Sequence, residues 1–227
     1  QDLHSTIATL HSIRELRAND REAAAALCDA LLQVGDLQAA LPLLEQRIET
    51  STEREDRIRL LELLASTLEE QAQDFDGAFH ASARLLDEDP ANFGALDRME
   101  RIDEQTGNQA RLVETLAYRA EVLEGDDRAE VLARIADIVD QRLGDLERAA
   151  DYYQQALDAA PGNPTVLDAL CGVYDRSKRY KDLVVMLKER AKVEEDPSAR
   201  AELYRRIART LGARVGNLDA AAEAWER

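Results

Sequence analysis

The side chains able to do chemistry are few, and their spacing brings no reactive set together. The histidines are His4, His11 and His80. His4 and His11 stand seven residues apart, two turns along one helix face. A helical metal pair sits at i and i+4, and neither a cysteine nor a third histidine lies close enough to complete a ligand set. Cys28 and Cys171 are too few for a disulfide-stapled scaffold. Carboxylates do stand side by side, as in Glu69-Glu70 and Glu194-Glu195-Asp196. At exposed helix positions such pairs are solvated charge rather than a general acid and its base. There is no glycine-rich phosphate loop, serine elbow, His-Glu-x-x-His or Cys-x-x-Cys. The expectation is a stretch with no catalytic residue, no cofactor and no metal.

Charge narrows the partners. With 46 acidic against 29 basic residues the 227-residue chain carries a formal charge of −17. That disfavours non-specific binding to nucleic acid or to anionic lipid. Hydrophobic residues make up 45%, enough for a folded core, while aromatics are only 4%. Ala, Leu, Glu and Arg outweigh the β-branched types, which favours helices over sheets. No apolar run approaches the ~18 residues that span a bilayer. Lysine occurs only at Lys178, Lys181, Lys188 and Lys192. The Arg-rich, Ala-rich remainder points to a high-GC bacterial coding sequence. The opening Gln1-Asp2-Leu3-His4 has no initiator Met, basic leader or apolar leader. The expectation is a cytoplasmic segment of a longer protein.

An internal repeat specifies the elements that must position these residues. The run Arg128-Ala129-Glu130-Val131 returns as Arg200-Ala201-Glu202-Leu203, 72 residues on. Gly144-Asp145-Leu146 returns as Gly216-Asn217-Leu218. Asp74, Ala78, Pro90, Asn92 and Leu96 recur 71 residues later as Asp145, Ala149, Pro161, Asn163 and Leu167. Gly35 matches Gly107. Each long period holds two helical hairpins. Val131, Leu132, Ile135, Ile138 and Val139 mark one helix face, and Gly144 with Asp145 reads as a stop followed by a cap. Leu146, Ala149, Ala150, Tyr153, Ala156 and Leu157 mark the next helix, stopped by Pro161-Gly162. Asn163-Pro164 and Asp196-Pro197 read as caps with proline in the first turn, and Thr52-x-x-Glu55 as a capping box. The periodicity predicts about thirteen helices and no strand. Pro42 falls inside the apolar run from Leu37 to Leu44, where it delays or bends that helix.

Segment 129–162 resembles a tetratricopeptide repeat, a helix–turn–helix of about 34 residues. Leu132, Ile135, Ala136 and Val139 fill the packing slots of its first helix. Ala149, Tyr153, Ala156 and Pro161 fill those of its second, with one extra residue before the turn. The match extends to 201–225, with Trp225 in the aromatic slot, and to 58–90, where Ser82 takes that slot beside Phe79. The alternate hairpins depart more, with Leu183 standing where a small Ala is usual. The resemblance implies an all-α, right-handed superhelical α-solenoid of stacked antiparallel helix pairs. Its expected hairpins span 20–51, 57–90, 92–126, 128–161, 163–196 and 200–227, with 1–18 the second helix of a truncated repeat, in one continuous array. Cys28 and Cys171 then share the small-residue slot of Ala65, Ala136 and Ala208, so both are expected buried and unpaired. Glu100 is the odd occupant of that slot.

In such repeats the first helix of each hairpin lines a concave groove. Carried over by position, the groove-facing residues are Asp29, Glu62, Glu69, Glu70, Asp97, Glu104, Asp137, Asp140, Asp168 and Asp175, with Arg59, Arg101 and Arg176 in the minority. One dominant sign in a groove focuses potential and attracts a cationic segment. The Lys and Asn with which the family's chaperone-binding type grips a terminal carboxylate are missing from the matching positions. A local exception is basic: Arg176, Lys178, Arg179, Lys181, Lys188, Arg190 and Lys192 crowd together without an aromatic platform for nucleic acid. The expected function is a non-enzymatic interaction scaffold that presents an acidic groove to a basic protein or peptide. The alternatives are a recruiting arm of a larger enzyme and a repeat protein that self-associates through open ends.

Overall fold

The computed structural model of the chain describes residues 3–16 and 20–226; residues 1, 2, 17–19 and 227 lie outside the described residues. Among the described residues every regular element is helical. The chain packs as two compact units, Gln1–Thr106 and Gly107–Arg227. The first holds α1 (Leu3–Leu16), α2 (Arg21–Val34), α3 (Leu37–Thr50), α4 (Arg54–Glu70), α5 (Phe75–Glu88) and α6 (Phe93–Thr106). The second holds α7 (Gln109–Glu121), α8 (Gly125–Ile138), α9 (Leu146–Ala159), α10 (Pro164–Arg176), α11 (Tyr180–Val193), α12 (Pro197–Thr210) and α13 (Leu218–Trp225). Within each unit every helix packs on the next one in sequence. α2 and α3 lie within 20–51 and α10 and α11 within 163–196, while α4, α8 and α12 each start three residues ahead of the 57, 128 and 200 read from the sequence. The segment 92–126 supplies α6 to the first unit and α7 to the second. No helix among the described residues is long and apolar enough to cross a membrane.

Short polar side chains start most of these helices. Asp20, Asp36, Asp74, Asn108, Asp145 and Asn217 each accept a hydrogen bond from the backbone N–H three residues on. Asn163 and Asp196 cap α10 and α12, each followed by proline in the first turn. This satisfies amides that have no partner within the helix. The Thr52–Glu55 box does not form. Glu53 occupies the cap position of α4 and makes no side-chain cap bond. The Arg57 guanidinium donates instead to the carbonyls of Ser51 and Thr52 and pairs with Glu88. Pro42 does not delay its helix. It lies inside α3, which starts five residues earlier, at Leu37.

The hairpin turns come in two lengths, and the longer one contains the extra residue noticed in the sequence. In the short turn a left-handed residue follows the helix, as at Gly35 (φ 77°), and the next amide, of Asp36, reaches back to the Leu31 carbonyl. In the long turn the first helix ends in a π-helical segment, Val139–Leu143 after α8 and Leu211–Val215 after α12. The cap residue then bonds back six positions, from Asp145 to Val139 and from Asn217 to Leu211. Asp74 bonds to Leu68 in the same way. One inserted residue is absorbed as a wider turn, so the helix face upstream keeps its register. Gly144 and Gly216 take the left-handed position of the long turn at φ 71° and 76°, where Gln73 stands at 55°.

The core follows the repeat slot by slot. Cys28 and Cys171 are fully buried, as are Ala65 and Ala136, with Ala208 1% exposed. The residue just before this small slot is always large and apolar: Leu27, Leu64, Met99, Ile135, Leu170 and Ile207, all buried. A small side chain lets neighbouring helices approach, and the preceding large one fills the space beside it. The aromatic slot is less regular. Tyr153 is 2% exposed, Ser82 is fully buried with its hydroxyl on the Ala78 carbonyl, and Trp225 is 57% exposed. The expectation that Trp225 packs as Tyr153 does is therefore not met, because α13 is covered on one side only, by α12 and its π turn.

Candidate functional site

The carboxylates expected along the first helices are nearly all exposed, and several are already held by arginines. In the first unit Asp29 of α2 receives Arg47 of α3 at 2.7 Å. Glu62 of α4 is exposed and accepts from the Asn92 amide at 3.4 Å. Glu69 is the exception in burial. It is 9% exposed, and α6 supplies both Arg98, at 3.1 Å, and Arg101, at 2.7 Å. Glu70, Asp97 and Glu104 are exposed. In the second unit Asp168 of α10 receives Arg190 of α11 at 3.1 Å. Asp175 receives Arg206 of α12 at 3.4 Å.

Asp137 is bonded from α9 and Asp140 from α10. Asp137, exposed at the end of α8, accepts the Tyr153 hydroxyl at 2.5 Å. Asp140, in the π turn, is nearly buried and takes Arg176 of α10 at 2.5 Å. Burial, followed by the Asp137 carboxylate, pushes the Tyr153 phenol well above its usual range. The phenol therefore stays a donor at every physiological pH and ties α9 to α8.

Sequence reasoning counted Arg101 and Arg176 as minority charges in a groove. The structure makes them, with Arg98 and Arg206, partners of carboxylates on the preceding first helix. Glu69–Arg101, Asp140–Arg176 and Asp175–Arg206 are separated by 32, 36 and 31 residues, close to one hairpin.

Unforeseen in the sequence is an open cleft of about 760 Å³ in the first unit. Arg21 and Ala24 of α2 face Arg59, Leu60 and Leu63 of α4 across it, with Gln46 and Thr50 of α3 between. Its charges balance: Asp20, Glu53 and Asp56 against Arg21, Arg47 and Arg59.

These repeated slots, caps and paired turns decide the architecture. It is a tetratricopeptide-repeat-like arrangement of helical hairpins. No family model matches the chain, and no curated protein matches it. Solved structures do. MamA is 18% identical over 72% of this chain and 91% of its own, with a TM-score of 0.44. A tetratricopeptide repeat protein from Parabacteroides merdae is 17% identical over 99% and 85%, at 0.42. PilF of Pseudomonas aeruginosa is 16% identical over 90% and 88%, also at 0.42.

Within the TPR-like hairpins the cysteine thiols are sequestered. Both cysteines are free and buried. The Cys28 thiol points at the Ala40 carbonyl, 3.7 Å away. Burial raises the Cys28 thiol and pushes Cys171 up to about 11. At pH 8 only about one Cys171 in a thousand is then thiolate, the reactive form. Labelling with a disulfide reagent at that pH should be at least ~100-fold slower in the native protein than in urea. Rapid native labelling of either thiol would contradict the slot assignment. Among the described residues no three His, Cys, Asp or Glu side chains are grouped to hold a metal ion. His4 and His11 are both exposed on α1.

Proposed function

We propose that the chain is a non-enzymatic protein-interaction scaffold, acting in the cytoplasm, that offers the carboxylates of its first helices to a basic protein or peptide. The observation that carries this reading is that exposed acid recurs on α2, α4, α6, α8 and α10. Asp29, Glu62, Asp97 and Glu104 are exposed on α2, α4 and α6 of the first unit. Asp137, Asp168 and Asp175 are exposed on α8 and α10 of the second. The arginines that meet some of them leave their charge usable. The Asp175 partner Arg206 is itself 44% exposed, and the contact is long, at 3.4 Å. Such an exposed pair contributes about 0–1 kcal/mol, so an incoming lysine or arginine displaces it at small cost. Glu69 and Asp140 are different. Glu69 is buried and Asp140 nearly so, and they serve the fold in this reading.

The test is equilibrium binding of a labelled oligolysine peptide to the full chain across ionic strength. Affinity should fall steeply as salt rises, because charges beyond about 8 Å are screened at physiological ionic strength. Binding that is absent, or unmoved by salt, would remove the electrostatic basis of the reading.

A further inference from the structure

One cavity runs against the net charge of the chain. At the turn between α10 and α11, beside the π turn that follows α12, a pocket of about 410 Å³ is lined by Lys178, Arg179, Lys181 and Arg214, with Asp182 the single carboxylate. Arg179 engages Asp182 at 2.7 Å. Lys178, Lys181 and Arg214 make no ion pair among the described residues. In a chain of net charge −17, Lys178, Lys181 and Arg214 gather around one cavity with a single carboxylate, already held by Arg179.

The repeat shows what was given up to place them. Lys178 occupies the position of Gly35 and Gly107 and keeps their left-handed backbone, with φ 59°. A lysine there is strained where glycine is not. Arg179 occupies the position of Asp36 and Asn108, the capping residues of α3 and α7, and makes no cap bond. Both substitutions exchange a residue that suits the turn for a cation, and the second removes the turn's own oxygen acceptor from the pocket. The guanidiniums are held in place. Arg179 lies over the Tyr174 ring at 4.6 Å and Arg214 over Tyr180 at 5.5 Å. Packing on aromatic faces fixes their direction; Arg179 is also paired with Asp182, while Arg214 keeps its charge unpaired.

We propose that this pocket binds an oxyanion carried by an acidic peptide segment of a partner protein, as carboxylate or as phosphoryl group. The ammoniums of Lys178 and Lys181 and the oriented guanidinium of Arg214 match either, through charge-assisted hydrogen bonds. Nucleic acid fits less well, because the two nearby rings are already covered by arginine and leave no platform for bases. The site is separate from the first-helix carboxylates and takes a ligand of opposite sign, so either reading can fail without the other.

The experiment uses the full chain and two labelled peptides of equal length, an oligoglutamate and a neutral sequence bearing one phosphoserine. A Lys178→Gly, Lys181→Gln, Arg214→Gln variant should bind at least about tenfold more weakly than wild type, with unchanged helicity. Its melting temperature should hold or rise, since Lys178→Gly restores the residue of the other two turns. Lys188→Gln with Lys192→Gln, on the same helix outside the pocket, should change affinity less than about twofold. The tighter of the two peptides identifies the source of the oxyanion. Absence of binding by both, equal losses in the pocket and control variants, or tighter binding of a single-stranded oligonucleotide of the same charge would each overturn the proposal.

Discussion

Replacing Glu69 by alanine should lower the stability of the first unit by about 2–4 kcal/mol, well beyond the ~0–1 kcal/mol of an exposed ion pair. Both of its oxygens are occupied. Arg98 donates to one at 3.1 Å, and Arg101 reaches both, at 2.7 and 2.8 Å. The side chains of Glu69 and Arg98 are 11% and 18% exposed. Removing the carboxylate leaves the Arg98 guanidinium largely out of water and uncompensated. Arg101, 56% exposed, can turn to solvent and adds little to the loss. Glu69→Gln should fall between, because it keeps an oxygen acceptor but not the charge. Glu69→Leu combined with Arg98→Met should recover most of the loss, since apolar residues of similar volume replace a buried pair at little net cost. Urea unfolding of the four proteins measures this. A loss below about 0.5 kcal/mol for Glu69→Ala would mean that the pair is a surface contact and does not join α4 to α6.

Leu170→Ala should cost about 3–4 kcal/mol. The side chain is fully buried, next to Cys171 in the slot where α10 meets its neighbours. Truncation removes transfer free energy and leaves a cavity that helices on both sides cannot readily close. Leu27→Ala, Ile135→Ala and Ile207→Ala occupy the same repeat position and are also fully buried, so comparable losses are expected. Val185→Ala on α11, 51% exposed, should cost less than about 1 kcal/mol. A Leu170→Ala variant as stable as Val185→Ala would show that the repeat register is wrong by at least one residue.

The sequence carried the elements in particular residues. Asn163-Pro164 and Asp196-Pro197 announced α10 and α12, and Gly144-Asp145 announced the turn before α9, because capping is a local matter of one side chain and the next three amides. The common slot of Cys28 and Cys171 was legible from their distance along the repeat. What was not legible depends on how one helix is rotated and tilted against the next. Arg101 could not be assigned to Glu69, nor Arg206 to Asp175, from charge pattern alone, since an arginine's reach covers several positions of a neighbouring helix. The unformed Thr52–Glu55 box shows the same limit on a smaller scale. A long-range pairing of Arg57 with Glu88 orders the start of α4 and makes the local bond unnecessary. Lys178 and Arg179 were noticed as basic residues, but their departure from the glycine and capping positions of the other short turns became visible only with the backbone angle.

The most direct test of the scaffold reading compares two triple variants of equal charge. One is Asp137→Asn, Asp168→Asn, Asp175→Asn on the first helices. The other is Glu147→Gln, Asp151→Asn, Asp158→Asn, all exposed on α9, a second helix. Asparagine at 137 can still accept the Tyr153 hydroxyl, so the fold should be retained. With an oligolysine ligand the first variant should lose about tenfold in affinity, mainly through a slower association rate, and the second less than about threefold. Equal losses from the two would show that net charge alone attracts the peptide, and the assignment of the first helices as the binding surface would be contradicted.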